Sequence, residues 1–514
     1  MEENTHHNLL NQNGTAYSTK DISSSPYSKK KQTIATACAT LGCLLNGCVI
    51  GFTSPALPSL LTGSPDIYGN PVPLELQQSS WIASILSIGC FIGCIMAGPI
   101  MEKIGRKQTL LWVCTVNYAL GFILILVANN TIFIYIGRFL NGVGLGLVLA
   151  TVSVYIVEIA TTDMRGILGC FVQFQGSIGV LMTFSLGYVL TWWQLAAAHL
   201  VLVLPFFIAM CCVPESPRWL ILKGREWEGE VALKWLRGRN PESLDREIDQ
   251  IKREIAIRKR ERISTTMLLE SEILKPFLVC LMMMFFLQMS GFNVIVYYCG
   301  IIFKDAGSTI HHNLASIIVG SVLLISCFVS LAVVSRLNRK TLLVTSILGM
   351  SVCHVGLGTY FHFYTNSPNY ASDGKPFDAP GGNMDAPDLP PLGWLPLVSV
   401  VGFLFLGNVG YGTLIWVVTA ELLPPKVRSI ANSIIICFAF VSGFIIAKTF
   451  VDLEQSIGYS GTFWFYAAVC FLGAIFTFIF VPETRDKSIE EIQNHFRSHR
   501  NRKSTTAFPL ETVA

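Results

Sequence analysis

The charged residues of this chain with the most regular spacing are two pairs of glutamate and arginine. Glu158 precedes Arg165 by seven residues, and Glu421 precedes Arg428 by the same interval. Arginine and carboxylate side chains form bidentate ion pairs, which break as a unit when the helices that carry them separate. The two pairs therefore predict a latch of ion pairs that forms and breaks as the protein changes conformation.

Other charged motifs accompany these pairs in the same order in both halves. Gly-Arg-Lys at 105–107 and Asn-Arg-Lys at 338–340 precede them, and Pro-Glu boxes at 214–218 and 482–485 follow them. The predicted latch comprises Arg106, Glu158, Arg165, Glu215, Arg218, Arg339, Glu421, Arg428, Glu483 and Arg485. Charged residues that simply recur at helix ends would not have equal spacing, so we interpret the halves as copies of one unit.

The composition indicates which elements carry these motifs. The chain has 514 residues, of which 52% are hydrophobic and 14% are charged. Soluble proteins carry roughly a quarter charged residues, so much of this surface is expected to face lipid. Twelve apolar stretches reach the ~20 residues that a membrane-spanning helix needs. They lie near 33–56, 79–101, 108–128, 131–157, 167–190, 194–213, 274–298, 314–335, 341–362, 394–420, 430–450 and 460–481.

Lysine and arginine are concentrated in the loops on the side that carries both termini, which predicts that this side is cytoplasmic. The sequence thus predicts an all-α membrane protein of twelve transmembrane helices in two pseudo-symmetric six-helix halves, the major facilitator fold, with a solute between the halves. The expected domains are a disordered tail (1–32), a six-helix bundle (33–213), a cytoplasmic linker with amphipathic helices (214–273), a second bundle (274–485) with an outside loop (363–393), and a cytoplasmic tail (486–514).

Several motifs resemble those of the sugar porter family of the major facilitator superfamily. They are the loop at 98–107, the fourth-span residues Gly137-Arg138, Tyr155–Glu158 and Arg165-Gly166, the sixth-span boxes at 214–220 and 481–485, and the seventh-span motif from Gln288 to Asn293 with Tyr297-Tyr298. The resemblance covers about residues 30–485. Within this family the chain resembles animal facilitative hexose transporters and insect facilitated trehalose transporters.

This resemblance implies transport of a hexose or disaccharide by alternating access at the plasma membrane, with the bilayer as its surroundings and no cofactor. The implied sugar contacts are Gln173, Gln288, Asn293, Asn408 and Trp416, and the implied outer gate residues are Tyr297 and Tyr298. Neutral amides can donate to and accept from sugar hydroxyls without the cost of a buried charge, and an indole can cover the apolar ring face. The alternative for each amide is a bond that holds two helices together.

The second half departs from the family's patterns. Leu287 replaces the first of two successive glutamines, and Leu323 stands where many hexose facilitators have asparagine. The tenth-span segment 410–416 lacks three prolines, and Ala439-Phe440 replaces an Asn-Trp pair. These changes remove hydrogen-bond donors and helix-breaking prolines, and they argue against ordinary glucose selectivity.

The sequence offers no obvious energy source for uphill transport. Family symporters commonly place an aspartate in the first span, and Val49 occupies that position here. We find no carboxylate deep in a predicted span and no Walker-type loop, so facilitated diffusion is expected and ATP is not. A proton-coupled sugar or polyol symporter and a non-transporting sugar sensor remain alternatives. No metal cluster or nucleophile–base set predicts an enzyme, and the net charge of +4 does not suggest nucleic acid.

Overall fold

The computed structural model describes residues 26–72, 74–161, 163–238, 241–260, 271–307, 312–334, 336–365, 392–424, 427–485, 487, 491–492 and 496. These residues are helical apart from connecting turns and one isolated bridge between Pro65 and Pro71. Eleven helices among them are long and apolar enough to cross a membrane. The two predicted tails and the loop at 363–393 lie largely outside the described residues.

The helices divide into two bundles joined by a linker. The first bundle contains α1 (Pro26–Gly51), α2 (Thr53–Leu61), α3 (Leu76–Ile104), α4 (Arg106–Leu126), α5 (Thr131–Ile159), α6 (Arg165–Leu186) and α7 (Trp192–Cys211). The linker contains α8 (Pro217–Leu222), α9 (Glu226–Arg237) and α10 (Pro241–Arg260). The second bundle contains α11 (Ser271–Met289), α12 (Phe292–Asp305), α13 (His312–Val334), α14 (Arg339–Thr365), α15 (Leu395–Val409), α16 (Tyr411–Leu422) and α17 (Arg428–Phe480).

The last helix, α17, is two helices in succession. It runs for 53 residues but has non-helical backbone at Gly458 (φ 71°, ψ 171°). The sequence predicts separate spans at 430–450 and 460–481, and Gly458 lies between them. Glycine adopts a positive φ without the steric cost that a Cβ would impose, so the chain can turn here and re-enter the bundle.

A second glycine interrupts the helix that carries the seventh-span motif. Gly291 has a φ of 76° and separates α11 from α12. The break frees the carbonyl oxygen of Ser290, and His354 Nε2 of α14 donates a hydrogen bond to it at 2.9 Å. A carbonyl freed at membrane depth needs such a partner, since lipid offers no hydrogen bonds. The break is therefore supported by a side chain from a neighbouring helix.

Glycines also let helices of the first bundle approach closely. A Cβ built on Gly47 of α1 would lie 2.0 Å from the carbonyl oxygen of Gly176, and one on Gly179 of α6 would lie 2.0 Å from that of Leu44. Lipid provides no hydrophobic force between helices, so van der Waals contact at small residues stabilises such crossings. The α1–α6 crossing therefore depends on the absence of side chains at these positions.

The outward faces of the bundles are apolar, as a lipid-facing surface requires. Ile136 is 47% exposed, Leu204 60% and Phe478 64%. The linker helices instead pack against the charged end of the first bundle: Arg237 Nη1 donates to Ile159 O (2.7 Å), and Trp219 Nε1 donates to Glu102 O (3.0 Å). We call this end, where the repeated charged motifs lie, the motif side, and the opposite end the far side.

The close crossing gives a direct stability test. Gly179→Ala places a methyl group inside the contact distance of the α1 backbone, and overpacking of this kind costs about 1–3 kcal/mol. We expect the melting temperature of the purified protein in detergent to fall by several degrees. Gly169→Ala on the same helix is the control, because a Cβ at that position would meet nothing within 4 Å. An equal effect of the two substitutions would contradict the proposed crossing.

Candidate functional site

The amides of the seventh-span motif form a small bonded cluster beside α17. Gln288 is buried, its Nε2 donates to the carbonyl oxygen of Ala439 at 2.6 Å, and its Oε1 accepts from Asn293 Nδ2 at 3.1 Å. A Cβ on Gly443, one turn further along α17, would lie 3.1 Å from Gln288 Nε2 and 3.8 Å from Ser87 Oγ of α3. The cluster therefore lies where the two bundles face each other. Each amide keeps further hydrogen-bonding capacity beyond these contacts.

A second pair of predicted residues meets across the two bundles. Gln173 Nε2 on α6 donates to Asn408 Oδ1 on α15 at 3.4 Å. Asn408 is buried, and its Nδ2 donates to Ser326 Oγ (2.6 Å) and Leu323 O (3.2 Å) of α13. The amide nitrogen of Asn408 therefore bonds α15 to α13, whereas Gln173 is the more exposed partner and the better placed to meet a solute.

The predicted aromatic residues separate into buried and exposed positions. Tyr297 and Tyr298 are buried on α12, and Tyr298 donates to Ala447 O at 3.2 Å with its ring 4.7 Å from that of Phe450. Trp416 on α16 remains 45% exposed. The structure thus packs Tyr298 against α17, while the Trp416 indole is not enclosed with it.

The far side of the bundles is closed by contacts that the sequence analysis did not anticipate. Ser54 Oγ of α2 accepts from Gly300 N of α12 at 3.0 Å. Lys448 Nζ of α17 donates to Ser80 Oγ of α3 at 2.7 Å and lies 5.1 Å from the ring centroid of Trp81. We call Ser80, Trp81 and Lys448 the far-side clasp. The available sequence signal was a lysine within an apolar span.

On the motif side, the repeated ion pairs each lie within one half. Glu158 accepts from Arg106 Nη2 at 2.8 Å and from Ser216 Oγ at 2.6 Å. In the second half, Arg339 Nη1 pairs with Glu421 Oε1. The described hydrogen bonds between the halves lie instead at the centre and on the far side. This conformation is therefore closed on the far side, with the two motif networks separate.

The remaining glutamates of the Pro-Glu boxes cap helices. Glu215 accepts from the backbone nitrogens of Arg106 (3.0 Å) and Lys107 (2.9 Å) at the start of α4, and Glu483 accepts from those of Arg339 (3.1 Å) and Lys340 (3.0 Å) at the start of α14. Carboxylates are favourable at the positive end of a helix dipole. Burial raises the pKa of Glu215 despite these bonds, whereas backbone N–H groups outweigh burial at Glu483 and lower its pKa.

The remaining arginines of the predicted latch bond within their own segments. Arg165 Nε donates to Ala160 O at 3.3 Å, and Arg428 Nε donates to Leu423 O at 3.2 Å, five residues back in both cases. These matched contacts follow the sequence repeat. Arg218 pairs with Glu254 of the linker at 3.2 Å, and Arg485 donates to Arg336 O.

Arg138 is a fully buried cation in α5 that bonds to neutral groups. Its Nη1 donates to Val49 O (2.6 Å), its Nη2 to Thr53 Oγ1 (2.8 Å) and its Nε to Ile82 O (3.2 Å). A buried charge is costly unless its hydrogen bonds are satisfied. Here one hydroxyl and two backbone carbonyls satisfy it, and one of these carbonyls belongs to Val49 of α1.

The chain matches known proteins along most of its length. A family model described as "Sugar (and other) transporter" matches residues 2–496. A facilitated trehalose transporter of Culex quinquefasciatus is 35% identical over 93% of this chain and 88% of its own length, and one of Polypedilum vanderplanki is 34% identical over 93% and 90%. The chain spans about half of a Drosophila yakuba transporter of the same name, at 35% identity (93% of this chain and 53% of the relative).

Solved structures show the same architecture. An inward-open conformation of the xylose transporter of E. coli superposes with a TM-score of 0.72 at 23% identity, covering 90% of this chain and 99% of the other. A partially occluded inward-open conformation of that transporter gives a TM-score of 0.70 at 23% identity, covering 89% and 100%. These likenesses establish the fold.

The clasp yields a test of how the far side is held. Lys448→Met removes a charged hydrogen bond between the bundles, and one or two kcal/mol changes a population about 5–30-fold. We expect an impermeant maleimide added at the far side of sealed membranes to label Ser87→Cys several-fold faster in this background. Lys304→Met, at an exposed lysine on α12, is the control. Unchanged labelling after Lys448→Met would show that the clasp does not hold this side closed.

Proposed function

We propose that this chain, which belongs to the sugar transporter family and is a multi-pass membrane transporter rather than an enzyme, carries a hexose or a disaccharide such as trehalose by facilitated diffusion. The observation that carries the proposal is the set of neutral amides at the interface of the bundles, together with Arg138, whose partners among the described residues are a hydroxyl and two backbone carbonyls. Such groups suit an uncharged, hydroxyl-rich solute. The names of the relatives support trehalose as the first sugar to test.

Gln288, Asn293 and Gln173 are the residues that we propose contact the sugar directly. Gln288 and Asn293 are held in position by each other and by α17, so their free hydrogen-bonding groups are preorganised. Asn408 is proposed to present its Oδ1 beside Gln173, and Trp416 to cover an apolar sugar face. Tyr297 and Tyr298 serve as the outer gate, since both lie on α12 beyond the Gly291 break.

Uniport is the favoured mechanism because the described residues that bond to Arg138 include no carboxylate. A proton-coupled carrier needs an acid in the membrane that titrates as the site changes exposure. Among the described residues that bond to Arg138, Val49 contributes its backbone carbonyl and no acidic group. A proton-coupled symporter is therefore the second candidate, and a non-transporting sensor the third.

The proposed topology has twelve spans, with α17 crossing the plasma membrane twice around Gly458, and both termini in the cytoplasm. The motif side is then cytoplasmic, which agrees with the excess of lysine and arginine there. In this orientation the conformation faces inward, because the far-side clasp is closed.

The motif-side charges are proposed to form the latch of the outward-facing state. In the inward-facing state Arg106 pairs with Glu158 and Arg339 pairs with Glu421, so each ion pair forms within its own half while the halves are apart. When the halves close, these arginines and glutamates can bond across them. Arg165→Ala or Arg428→Ala should then favour the inward-facing state and slow far-side labelling of Ser87→Cys. Unchanged access would count against the latch.

The central site is tested by counterflow of labelled trehalose, glucose and fructose into liposomes that contain the purified protein. Counterflow of at least one sugar is expected, and its rate should fall about tenfold in Gln288→Ala, because a lost hydrogen bond of about 1.4 kcal/mol weakens binding tenfold. Gln108→Ala, at an exposed glutamine on the motif side, is the control and should match the wild type. Absence of counterflow for all three sugars would reject the transport proposal.

A further inference from the structure

Two adjacent cysteines at the motif-side end of α7 differ from all others in the chain. All fifteen cysteines lie within described residues, and only Cys211 and Cys212 are exposed. The other thirteen are buried or half-buried, as expected of cysteines that pack as small apolar side chains. The exposure of this pair therefore needs an explanation other than packing.

The pair continues a stripe of α7 that faces outward. Val201 is 63% exposed, Leu204 60% and Ile208 62%. Their spacing of three and four residues places them on one face of the helix, and the next three- or four-residue steps reach Cys211 and Cys212. Since exposed apolar side chains on a spanning helix face lipid, both thiols lie at the end of a lipid-facing stripe.

Neighbouring residues place the pair at the membrane boundary. Lys107 Nζ donates to the carbonyl oxygen of Cys211 at 3.1 Å, and α7 ends at this residue. Trp227 of α9 is 75% exposed, and with Cys212 and Trp235 it lines a cavity of about 500 Å³ beneath the bundle. Lysine and tryptophan are typical of the level at which hydrocarbon meets water.

We propose that Cys211 and Cys212 are S-acylated by a long-chain fatty acyl-CoA. Each cysteine sulfur attacks the thioester carbonyl, a new sulfur–carbon bond forms, coenzyme A leaves as its thiol with the cysteine's proton, and no oxidation occurs. The acyl chain then enters the bilayer along the stripe of Val201, Leu204 and Ile208. Cysteines next to a membrane helix are established acceptors of such chains. The inference rests on the proposed orientation, which exposes this end to cytoplasmic acyl-CoA.

The test counts thioesters by mass-tag exchange on the full chain in membranes of eukaryotic cells. Free thiols are blocked, hydroxylamine cleaves thioesters, and a maleimide-linked polyethylene glycol tags each released thiol. We expect two tags on the wild type, one on Cys211→Ser, one on Cys212→Ser and none on the double variant. Cys170→Ser, at a half-buried cysteine of α6, is the control and should keep two tags.

Three results would overturn the proposal. The double variant could keep its hydroxylamine-dependent tags, or the wild type could have none while another acylated membrane protein in the same sample is tagged. Without the blocking step and without hydroxylamine, the maleimide could also add two more tags to the wild type than to the double variant, which would show that both cysteines are free thiols. Tag numbers do not depend on transport, so failure of sugar counterflow leaves this measurement interpretable, and a lack of tags leaves the counterflow result unchanged.

Discussion

The structure depends on one constraint: inside a bilayer, every polar group must find its partner within the protein. Arg138 meets this requirement, because its guanidinium donates hydrogen bonds to a hydroxyl and to two backbone carbonyls of α1 and α3. The carbonyl freed at the Gly291 break receives a bond from His354. These contacts fix the first and seventh spans, and the amide cluster of Gln288 and Asn293 is positioned by the second of them. The proposed sugar site is thus a consequence of how the helices satisfy their own backbone.

The same requirement applies at the motif side, where the polar groups of the two halves find hydrogen-bond partners to different degrees. In the first half, Ser216 completes the bonding of Glu158. In the second half, Thr484 stands in the equivalent position of the box, yet its hydroxyl and Glu421 Oε2 are both buried without a hydrogen-bond partner among the described residues. A carboxylate oxygen of this kind is costly to leave unpaired. The second-half network therefore has the greater capacity to accept a new hydrogen bond when the halves close. In the proposed latch, donors of the first half then bond to this acceptor of the second half.

Much of this architecture is predictable from sequence, since lipid imposes long apolar helices. The stretch at 131–157 corresponds to a helix at Thr131–Ile159, and the backbone contacts of Arg165 and Arg428 recur in the two halves as the motifs do. The partners of Arg138 were not predictable, because backbone carbonyls leave no pattern in side-chain types. The clasp of Lys448 with Ser80 was equally hidden, since it joins residues of different halves, 368 positions apart. The exposure of Cys211 and Cys212 was not predictable either, because these two cysteines also lie in an apolar run.

The central claim is that a neutral solute moves without a coupled ion, because the described residues that bond to the buried cation Arg138 include no acid. Its most direct test is the steady-state ratio of internal to external labelled sugar in liposomes that hold the purified protein under an imposed pH gradient. The sugar used is the one that shows the fastest counterflow. Facilitated diffusion predicts that the ratio settles at one both with and without the pH gradient. A ratio that rises above one with an inward proton gradient, and returns to one when a protonophore is added, would contradict the account.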